Sequence, residues 1–239
     1  MLYLLVPTFN EEQNVHKLTS VVKQLLPQTG YKIVIVDDGS TDRTVELLRE
    51  AFDGLSAEII TKPANQGPGD SFHIGFLRIL ELSTNDDDHI LTFEADNTVS
   101  VADLNNLVYI GGAGFDLVLA SPYAQGGGFQ KTSAGRKMLS FGANLLLRFF
   151  FDIRILTLSS FVRLYRVGLL RKVGAKYPVL IESKGFFSMA EILLKAVRSG
   201  ARVIEVPVQV LSAERVGRSK MKIVKTSFEY ISMLIRIHL

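Results

Sequence analysis

The strongest constraint on the fold is the way short apolar runs alternate with amphipathic segments over the first 120 residues. Runs rich in β-branched residues predict parallel strands, and the longer segments between them have the period of helices. The predicted strands are Leu2–Val6, Tyr31–Val36, Ala57–Thr61, His89–Glu94 and Asp116–Ala120. The predicted helices are Glu11–Leu26, Thr41–Ala51, about Ser71–Leu82 and Val101–Ile110. This order predicts the α/β class, with a Rossmann-like, open, mostly parallel sheet and helices on both faces.

After the fifth predicted strand, the pattern indicates additions to this sheet rather than a second domain. Ser160–Tyr165 and Arg202–Val210 predict strands, Phe186–Arg198 predicts a helix, and Arg136–Phe151 is apolar on nearly every helical face. Residues 223–239 place apolar side chains on one helical face and polar and basic ones on the other. We expect an amphipathic C-terminal helix there, which docks on the core or lies in a lipid interface.

Charge is distributed unevenly along the chain, although the net charge is only +3. Residues 1–130 hold 7 Lys+Arg and 18 Asp+Glu, a balance of −11, whereas residues 131–239 hold 20 and 6, a balance of +14. An acidic half suits a divalent cation, and a basic half suits phosphates or an anionic membrane surface. Arginines interleaved with aromatics and zinc-finger spacing are both missing from the sequence, so we expect no nucleic-acid partner.

The start of the sequence does not predict an exported protein. Met1 is followed at once by Leu2–Val6 and Pro7, without the basic start, apolar stretch and small-residue cleavage site of a signal peptide. No uncharged apolar run reaches the roughly 18 residues that a spanning helix needs. We therefore expect a cytoplasmic protein whose contact with the membrane is peripheral, on the cytoplasmic face.

Polar clusters follow the first four predicted strands, at the points where those strands end. They are Pro7–Glu11, Asp37–Ser40, Asn65–Gly69 and Glu94–Asn97. In open α/β sheets, ligands bind beyond the carboxyl ends of the strands, where the connecting loops gather. We therefore expect one cleft to collect all four clusters.

Glu94 and Asp96 are the candidate metal ligands. Carboxylates two residues apart share one side of an extended backbone and can converge on a hard cation such as Mg²⁺ or Mn²⁺. Such an ion would hold a diphosphate and neutralise charge on a phosphate leaving group. The alternative is a solvated acidic turn ahead of the helix that begins at Val101.

Asp37 and Asp38 are candidate nucleotide ligands, because capping of the next helix explains their neighbours but not them. Ser40 or Thr41 would cap that helix, and Asp42 would be favoured by its N-terminal dipole. Two adjacent aspartates at a strand end can accept hydrogen bonds from a nucleotide base or ribose. A structural role for the pair is the alternative.

Two glycine-containing segments are candidates for contacts with anions. Gly67-Pro68-Gly69 resembles a phosphate loop, although a pair of glycines ahead of a helix is first interpreted as a tight turn. Residues 214–220 place three cations around Gly217, which favours a mobile clamp on phosphate oxygens over a solvated run of charges.

These motifs occur along the chain in an order that is specific as a set. They are Pro7-Thr8-Phe9-Asn10-Glu11, Val36-Asp37-Asp38-Gly39-Ser40-Thr41-Asp42, Asn65-Gln66-Gly67, Glu94-Ala95-Asp96 and Arg215-Val216-Gly217-Arg218-Ser219-Lys220. The set resembles the inverting nucleotide-sugar glycosyltransferases, and among them the polyprenyl-phosphate sugar synthases of the dolichyl-phosphate mannose synthase type. The resemblance implies a GT-A fold over residues 1–222, with a nucleotide and metal half at 1–130 and an acceptor half at 131–222.

The resemblance also implies roles for individual residues. The nucleotide sugar would be held by Pro7, Phe9, Glu11, Val36, Asp38 and Ala95, and the metal ion by Glu94 and Asp96. Arg136 and Ser140 would meet the acceptor phosphate, and Arg215 and Lys220 would clamp the phosphates. The implied catalytic set is Asp96, Arg136, Arg215 and Lys220.

Four positions depart from the family pattern. Phe9 stands where tyrosine is common, and Glu94 stands where the metal motif has its first aspartate. Thr98 stands where these synthases often have glutamine, and Pro122 stands where they have arginine. The missing arginine predicts a different acceptor or a weaker grip on the acceptor phosphate.

The reaction implied by the resemblance moves a sugar from a GDP- or UDP-sugar to a polyprenyl phosphate, such as dolichyl or undecaprenyl phosphate, with inversion. A phosphate monoester is already largely anionic at neutral pH and needs little from a general base. Three alternatives stay open: a saccharide acceptor, a sugar-nucleotide nucleotidyltransferase, and a non-catalytic nucleotide-sugar binding protein. The nucleotidyltransferase expects a glycine-rich first loop with a basic residue, which Pro7–Glu11 does not provide.

Overall fold

The protein folds as a mostly parallel sheet with one layer of helices on each side. The computed structural model describes residues 1–25, 30–96, 98–130, 142, 144–145, 148 and 153–211. The strands are β1 Leu2–Thr8, β2 Tyr31–Asp37, β3 Ala57–Thr61, β4 His89–Thr92, β5 Leu117–Ser121, β6 Gly128–Gln130, β7 Arg163–Arg166, β8 Val203–Pro207 and β9 Gln209–Leu211. The helices are α1 Val15–Leu25, α2 Thr44–Ala51, α3 Pro68–Leu82, α4 Val101–Gly111, α5 Val167–Lys176 and α6 Ser188–Arg198.

The main sheet has seven strands in the order β3-β2-β1-β4-β7-β5-β8, and β6 and β9 form a second, two-stranded sheet. All neighbours in the main sheet are parallel except β7, which runs antiparallel to β4 and to β5. The strand order reverses between β1 and β4, which are direct neighbours. Crevices for ligands form at such a point, beyond the carboxyl ends of the strands.

Both faces of the sheet are buried, which explains why its strands are almost continuously apolar. Alternate residues of β1 face opposite cores. Tyr3 and Leu5 pack with α3, α5 and α6, whereas Leu2, Leu4 and Val6 pack with α1, α2 and α4. The expected α/β class, with helices on both faces, is confirmed.

The fourth strand ends earlier than predicted. Its pairing with β1 ends at Leu5 and its pairing with β7 ends at Arg163, and both of these residues lie opposite Thr92. Without a ladder partner the chain leaves the sheet, and Ala95 and Asp96 form a turn. The expectation that Glu94 and Asp96 share one side of an extended backbone is therefore wrong, since Ala95 and Asp96 lie in a turn.

Other element boundaries also differ from the sequence prediction. Residues 202–210 form two strands in different sheets rather than one, because Pro207 ends β8 and the Val208 amide donates to the Ser121 carbonyl at 3.2 Å. Strand β7 covers residues 163–166 and not 160–165, while β6 and α5 were not predicted. Helix α1 begins at Val15, after a turn in which the Asn14 amide donates to the Glu11 carbonyl at 2.8 Å.

Within the described residues, no helix is both long enough and apolar enough to cross a membrane. The expected C-terminal helix at residues 223–239 lies outside the described residues. Most of the apolar segment 136–151 also lies outside them.

Candidate active site

The candidate site lies at the carboxyl ends of β1, β2 and β4. Pro7 of β1 is paired with Val36 of β2, and the Asp38 amide donates to the Thr8 carbonyl at 2.8 Å. Three of the residues assigned to the nucleoside therefore lie side by side. Val36 is fully buried with its side chain in the core, so only its main chain could face a ligand.

The loop after β1 is held against the loop after β2 by hydrogen bonds. Asn10 has a left-handed backbone with φ of 51°, and its amide donates to Ser40 Oγ at 2.8 Å. In return, the Thr41 amide donates to Asn10 Oδ1 at 2.9 Å. The Glu11 amide donates to Thr44 Oγ1 at 2.7 Å. The loop that carries Phe9 and Glu11 is thus fixed before any ligand arrives.

Capping of α2 differs from the expectation that Ser40 or Thr41 caps it. The helix begins at Thr44, whose amide donates to Asp42 Oδ1 at 3.0 Å. Asp42 therefore supplies the acceptor at the positive end of the helix. Ser40 instead donates from its hydroxyl to Asp37 Oδ1 at 2.5 Å and accepts from the Asn10 amide, and the second of these bonds joins the β1 and β2 loops.

The two adjacent aspartates have different surroundings. Asp37 is fully buried and accepts hydrogen bonds from Thr8 Oγ1 and from the Ser40 amide and hydroxyl. Asp38 is 4% exposed and accepts from Lys62 Nζ at 2.5 Å and from the amides of Gln66 and Gly67, both at 2.8 Å. Both carboxylates therefore shape the loops that surround the cleft.

Lys62 is a residue of the site that sequence reasoning missed. It directly follows β3, its side chain is 5% exposed, and Nζ lies 2.5 Å from Asp38 and 2.6 Å from Asp70. Its position at a strand end was the available signal, because the other polar clusters were found at strand ends. The buried ammonium compensates two carboxylates and joins β2, β3 and α3.

Gly67 and Gly69 allow another segment to approach the start of α3. A Cβ on Gly67, whose φ is +99°, would lie 2.4 Å from the Lys184 carbonyl oxygen, and one on Gly69 would lie 1.9 Å from that of Ser183. The Gly69 amide donates to the Lys184 carbonyl at 2.8 Å. The glycines therefore serve a tight turn and close packing, as first interpreted from the sequence, and this amide already has a backbone acceptor.

The approaching segment is held by Glu191 of α6. Its carboxylate accepts from the amides of Glu182 at 2.9 Å and Ser183 at 2.8 Å, and from Lys195 Nζ at 2.7 Å. Burial acts to raise the pKa of Glu191, but these hydrogen bonds outweigh it and the pKa lies below its ordinary value. Glu191 is therefore ionised at neutral pH and fixes the segment that packs on Gly67 and Gly69.

Replacing Gly69 with alanine is expected to lower the free energy of unfolding by more than about 2 kcal/mol, because the new methyl group would overlap a backbone oxygen. Urea denaturation of the variant measures this loss. Gly174→Ala is the matched control, since Gly174 also lies in a helix and its Cβ would meet only a leucine methyl at 3.7 Å. That control should be neutral or slightly stabilising. Equal stability of the two variants would contradict the close approach.

The candidate metal ligands lie in the turn after β4. Asp96 is 6% exposed, and its Oδ1 accepts from the Thr98 amide at 3.2 Å and from Thr98 Oγ1 at 2.9 Å. Glu94 is partly buried and Ala95 packs in the core. Glu94, Asp96 and Thr98 line a small depression together with apolar side chains of α1 and α4. The two carboxylates are thus brought together by a turn.

Two carboxylates fit a cation that also binds phosphate. Among the described residues, no group of three or more histidine, aspartate or glutamate side chains could hold a metal ion. Mg²⁺ is commonly bound by one or two carboxylates, with substrate phosphates and water completing its shell. Glu94 and Asp96 would supply the hard oxygen donors if this turn holds such a cation.

Four of the expected catalytic and acceptor residues, Arg136, Ser140, Arg215 and Lys220, lie outside the described residues. Pro122 is described and directly follows β5. The Ser121 hydroxyl before it lies 2.6 Å from Thr157 Oγ1 and accepts from the Ala124 amide at 3.1 Å. The turn that departs from the family pattern is therefore anchored at its first residue.

A solved structure shares the fold of this chain. Glucosyl-3-phosphoglycerate synthase from Mycobacterium tuberculosis, solved with Mn²⁺, UDP and glucosyl-3-phosphoglycerate, matches with a TM-score of 0.67. The two chains are 18% identical, and the match covers 98% of this chain and 77% of that one. This likeness shows the fold alone, which is the GT-A fold of glycosyltransferases.

The family follows from the sequence match. Residues 3–174 match the model described as glycosyl transferase family 2. The chain belongs to this family and is a glycosyltransferase.

Two relatives resemble the chain over most of its length. Polyprenol monophosphomannose synthase of Mycolicibacterium smegmatis is 29% identical over 220 residues, which cover 91% of this chain and 80% of that protein. Undecaprenyl-phosphate mannosyltransferase of Micrococcus luteus is 26% identical over 218 residues, which cover 91% and 86%. The resemblance to polyprenyl-phosphate sugar synthases is confirmed.

Proposed function

We propose that this glycosyltransferase moves a sugar from a GDP- or UDP-sugar to a polyprenyl phosphate, with inversion and with the help of Mg²⁺ or Mn²⁺. The observation that carries the proposal is the buried Asp96, oriented by Thr98 in the turn after β4, where the strand order reverses. The names of two relatives that resemble the chain over 91% of its length support the acceptor class.

The nucleoside end of the donor fits the cleft between the β1 and β2 loops. Pro7, Phe9 and Glu11 lie on the first loop, which the second loop holds in place. An ionised carboxylate has about four acceptor positions, and Asp38 receives three donors. Asp38 can therefore accept one more hydrogen bond from a ribose or base, while Val36 and the buried Ala95 would contribute main-chain contacts.

Glu94 and Asp96 would hold the divalent cation, which supplies charge neutralisation for a departing nucleoside diphosphate when it is bound. The burial of Asp96 strengthens its electrostatic interactions, because less water screens the carboxylate. The part of the donor that would lie near this acidic turn is its diphosphate. The cation between them would explain how an acidic half of the protein can accept an anionic substrate.

The acceptor would react as an oxyanion. A phosphate oxygen of the acceptor forms the new bond to the anomeric carbon as the bond from that carbon to the nucleoside diphosphate breaks, and one displacement inverts the configuration. The acceptor oxygen is already deprotonated at neutral pH, so positioning and charge suffice. We propose that Arg136 and Ser140 meet this phosphate, and that Arg215 and Lys220 stabilise the departing diphosphate.

A lipid acceptor implies contact with a membrane. We propose that the protein binds peripherally at the cytoplasmic face, with the basic half of the chain toward anionic lipid. The balance of +14 over residues 131–239 supports this orientation, since basic residues near an anionic surface each favour binding.

A non-lipid acceptor is a second candidate, favoured by one specific observation. Pro122 stands where the lipid-phosphate synthases have arginine, so one expected contact to the acceptor phosphate is missing. A soluble acceptor is compatible with the fold, because glucosyl-3-phosphoglycerate synthase shares it.

The decisive experiment incubates the full chain with a panel of GDP- and UDP-sugars, Mn²⁺, and either undecaprenyl phosphate or soluble saccharides and phosphate monoesters. We expect release of nucleoside diphosphate together with a glycosylated lipid. Transfer only to a soluble acceptor would replace the first candidate by the second. Release of pyrophosphate would indicate a nucleotidyltransferase, and binding without turnover would indicate a non-catalytic role; either result would overturn the proposal.

A further inference from the structure

Thr98 makes two hydrogen bonds to a single oxygen of the candidate metal ligand. Its amide donates to Asp96 Oδ1 at 3.2 Å, and its hydroxyl donates to the same oxygen at 2.9 Å. Two donors on one oxygen restrain the orientation of a carboxylate more strongly than a single hydrogen bond does. The Thr98 side chain, which stands where family members often have glutamine, is therefore directed at Asp96.

The carbonyl of the same residue holds a different part of the fold. The Leu211 amide donates to the Thr98 carbonyl oxygen at 2.8 Å. Leu211 is the last residue of β9, which pairs in parallel with β6 over residues 128–130. Thr98 is thus bonded on one side to the Asp96 carboxylate and on the other to the small β6–β9 sheet.

The neighbouring polar residues of this loop do a different job. Ser100 caps α4, because its hydroxyl accepts from the Asp103 amide at 3.1 Å and donates to Asp103 Oδ2 at 2.9 Å. The cap stabilises the helix that follows the loop. Carboxylate orientation and helix capping are therefore assigned to separate hydroxyls, two residues apart.

We infer that Thr98 is a positioning residue, which holds the Asp96 carboxylate in the orientation that binds the cation and links that orientation to β9. The inference rests on the proposed function, because it requires Asp96 to be a metal ligand. Groups that hydrogen-bond to ligating side chains commonly change metal affinity about 10- to 100-fold when they are removed. A valine at position 98 keeps the shape of threonine but lacks the hydroxyl.

The test measures Mn²⁺ binding to the full chain, in the presence of UDP or GDP, by the electron paramagnetic resonance signal of free Mn²⁺. We expect Thr98→Val to weaken Mn²⁺ affinity about 10-fold. Thr98→Ser, which keeps the hydroxyl, should restore most of the affinity. Ser100→Ala is the matched control, because it removes the cap of α4 and leaves both Thr98 donors in place.

A second readout follows the link to β9. Hydrogen exchange at the Leu211 amide should slow when Mn²⁺ and the nucleoside diphosphate bind to the unmodified chain and to Thr98→Ser. The slowing should be smaller in Thr98→Val at the same metal concentration. A purely structural role for Thr98 would alter the exchange rate without making it depend on metal.

The outcomes separate the inference from the proposed function. Weak binding by Thr98→Val, with rescue by Thr98→Ser and near-normal binding by Ser100→Ala, supports the inference. Equal Mn²⁺ affinity in Thr98→Val and in the unmodified chain overturns it and leaves the metal site standing. Equal loss in Thr98→Val and Ser100→Ala also overturns it, because loop stability alone would then account for the effect. A lack of Mn²⁺ binding by the unmodified chain overturns the metal site itself.

Discussion

Replacing Asp96 with asparagine is expected to lower the rate of sugar transfer at least about 100-fold, with little effect on folding. Asparagine has the same shape and can still accept from Thr98 through its carbonyl oxygen, so the turn after β4 should persist. What it loses is the negative charge that a divalent cation needs at this position. Steady-state kinetics with saturating donor and acceptor measures the loss, and thermal unfolding checks that the fold is retained.

Asp103→Asn is the matched control for this variant. Asp103 belongs to the same acidic stretch, but it lies in the first turn of α4, where it accepts from the Ser100 hydroxyl. We expect its activity to stay within about two-fold of the unmodified chain, because the carbonyl oxygen of asparagine can still accept from the Ser100 hydroxyl and the backbone amide of residue 103 still donates to that hydroxyl. If Asp96→Asn kept full activity, or lost no more than Asp103→Asn, the metal role of Asp96 would be refuted.

Much of the fold could be predicted from sequence because both faces of the sheet are buried. Continuous apolar runs such as Tyr31–Val36 mark parallel strands, and the turns between them place polar residues at their carboxyl ends. Strand β3 has the predicted bounds, Ala57–Thr61. The position of Asp38 beside the loop after β1 follows from the same logic, because adjacent parallel strands end at the same edge.

Features that depend on distant parts of the chain could not be predicted. The length of β4 is set by where its neighbours β1 and β7 stop pairing with it, and not by its own residues. The reason for glycine at position 69 is the approach of Ser183, which lies more than 100 residues away in sequence. The start of α5 has no capping side chain, so nothing in the local pattern indicates it.

The candidate site also contains residues that could be predicted from sequence and residues that could not. Glu94 and Asp96 were found from their spacing, although a turn rather than a strand brings them together. Lys62 was missed because a lone lysine is usually solvated, and only the tertiary structure shows that two carboxylates surround it. Sequence patterns therefore pointed to the polar residues at the strand ends, but not to the buried lysine that holds two of their loops together.

The largest expected effect on stability follows from Lys62. Its buried ammonium lies between Asp38 and Asp70, which have side chains 5% and 27% exposed. Removing one partner of a buried ion pair typically costs about 3–5 kcal/mol, because the remaining charge stays buried without compensation. We expect Lys62→Met, which preserves most of the side-chain volume, to lose this amount in urea denaturation. Nucleotide binding should weaken as well. Lys62 holds the Asp38 carboxylate, which also accepts from the amides of Gln66 and Gly67, so the loss of Lys62 would disturb this part of the cleft.

Arg78→Met is the matched control, which removes a cation from an exposed ion pair instead of a buried one. Arg78 also bridges two carboxylates, Glu58 at 2.7 Å and Glu81 at 2.9 Å, but its side chain is 37% exposed. Water screens this pair, so the loss should be below about 1 kcal/mol. Adding Asp38→Asn to Lys62→Met should recover part of the stability, because it removes the uncompensated charge. Similar losses for Lys62→Met and Arg78→Met would mean that burial adds nothing to the Lys62 cluster, and that its carboxylates find compensation elsewhere.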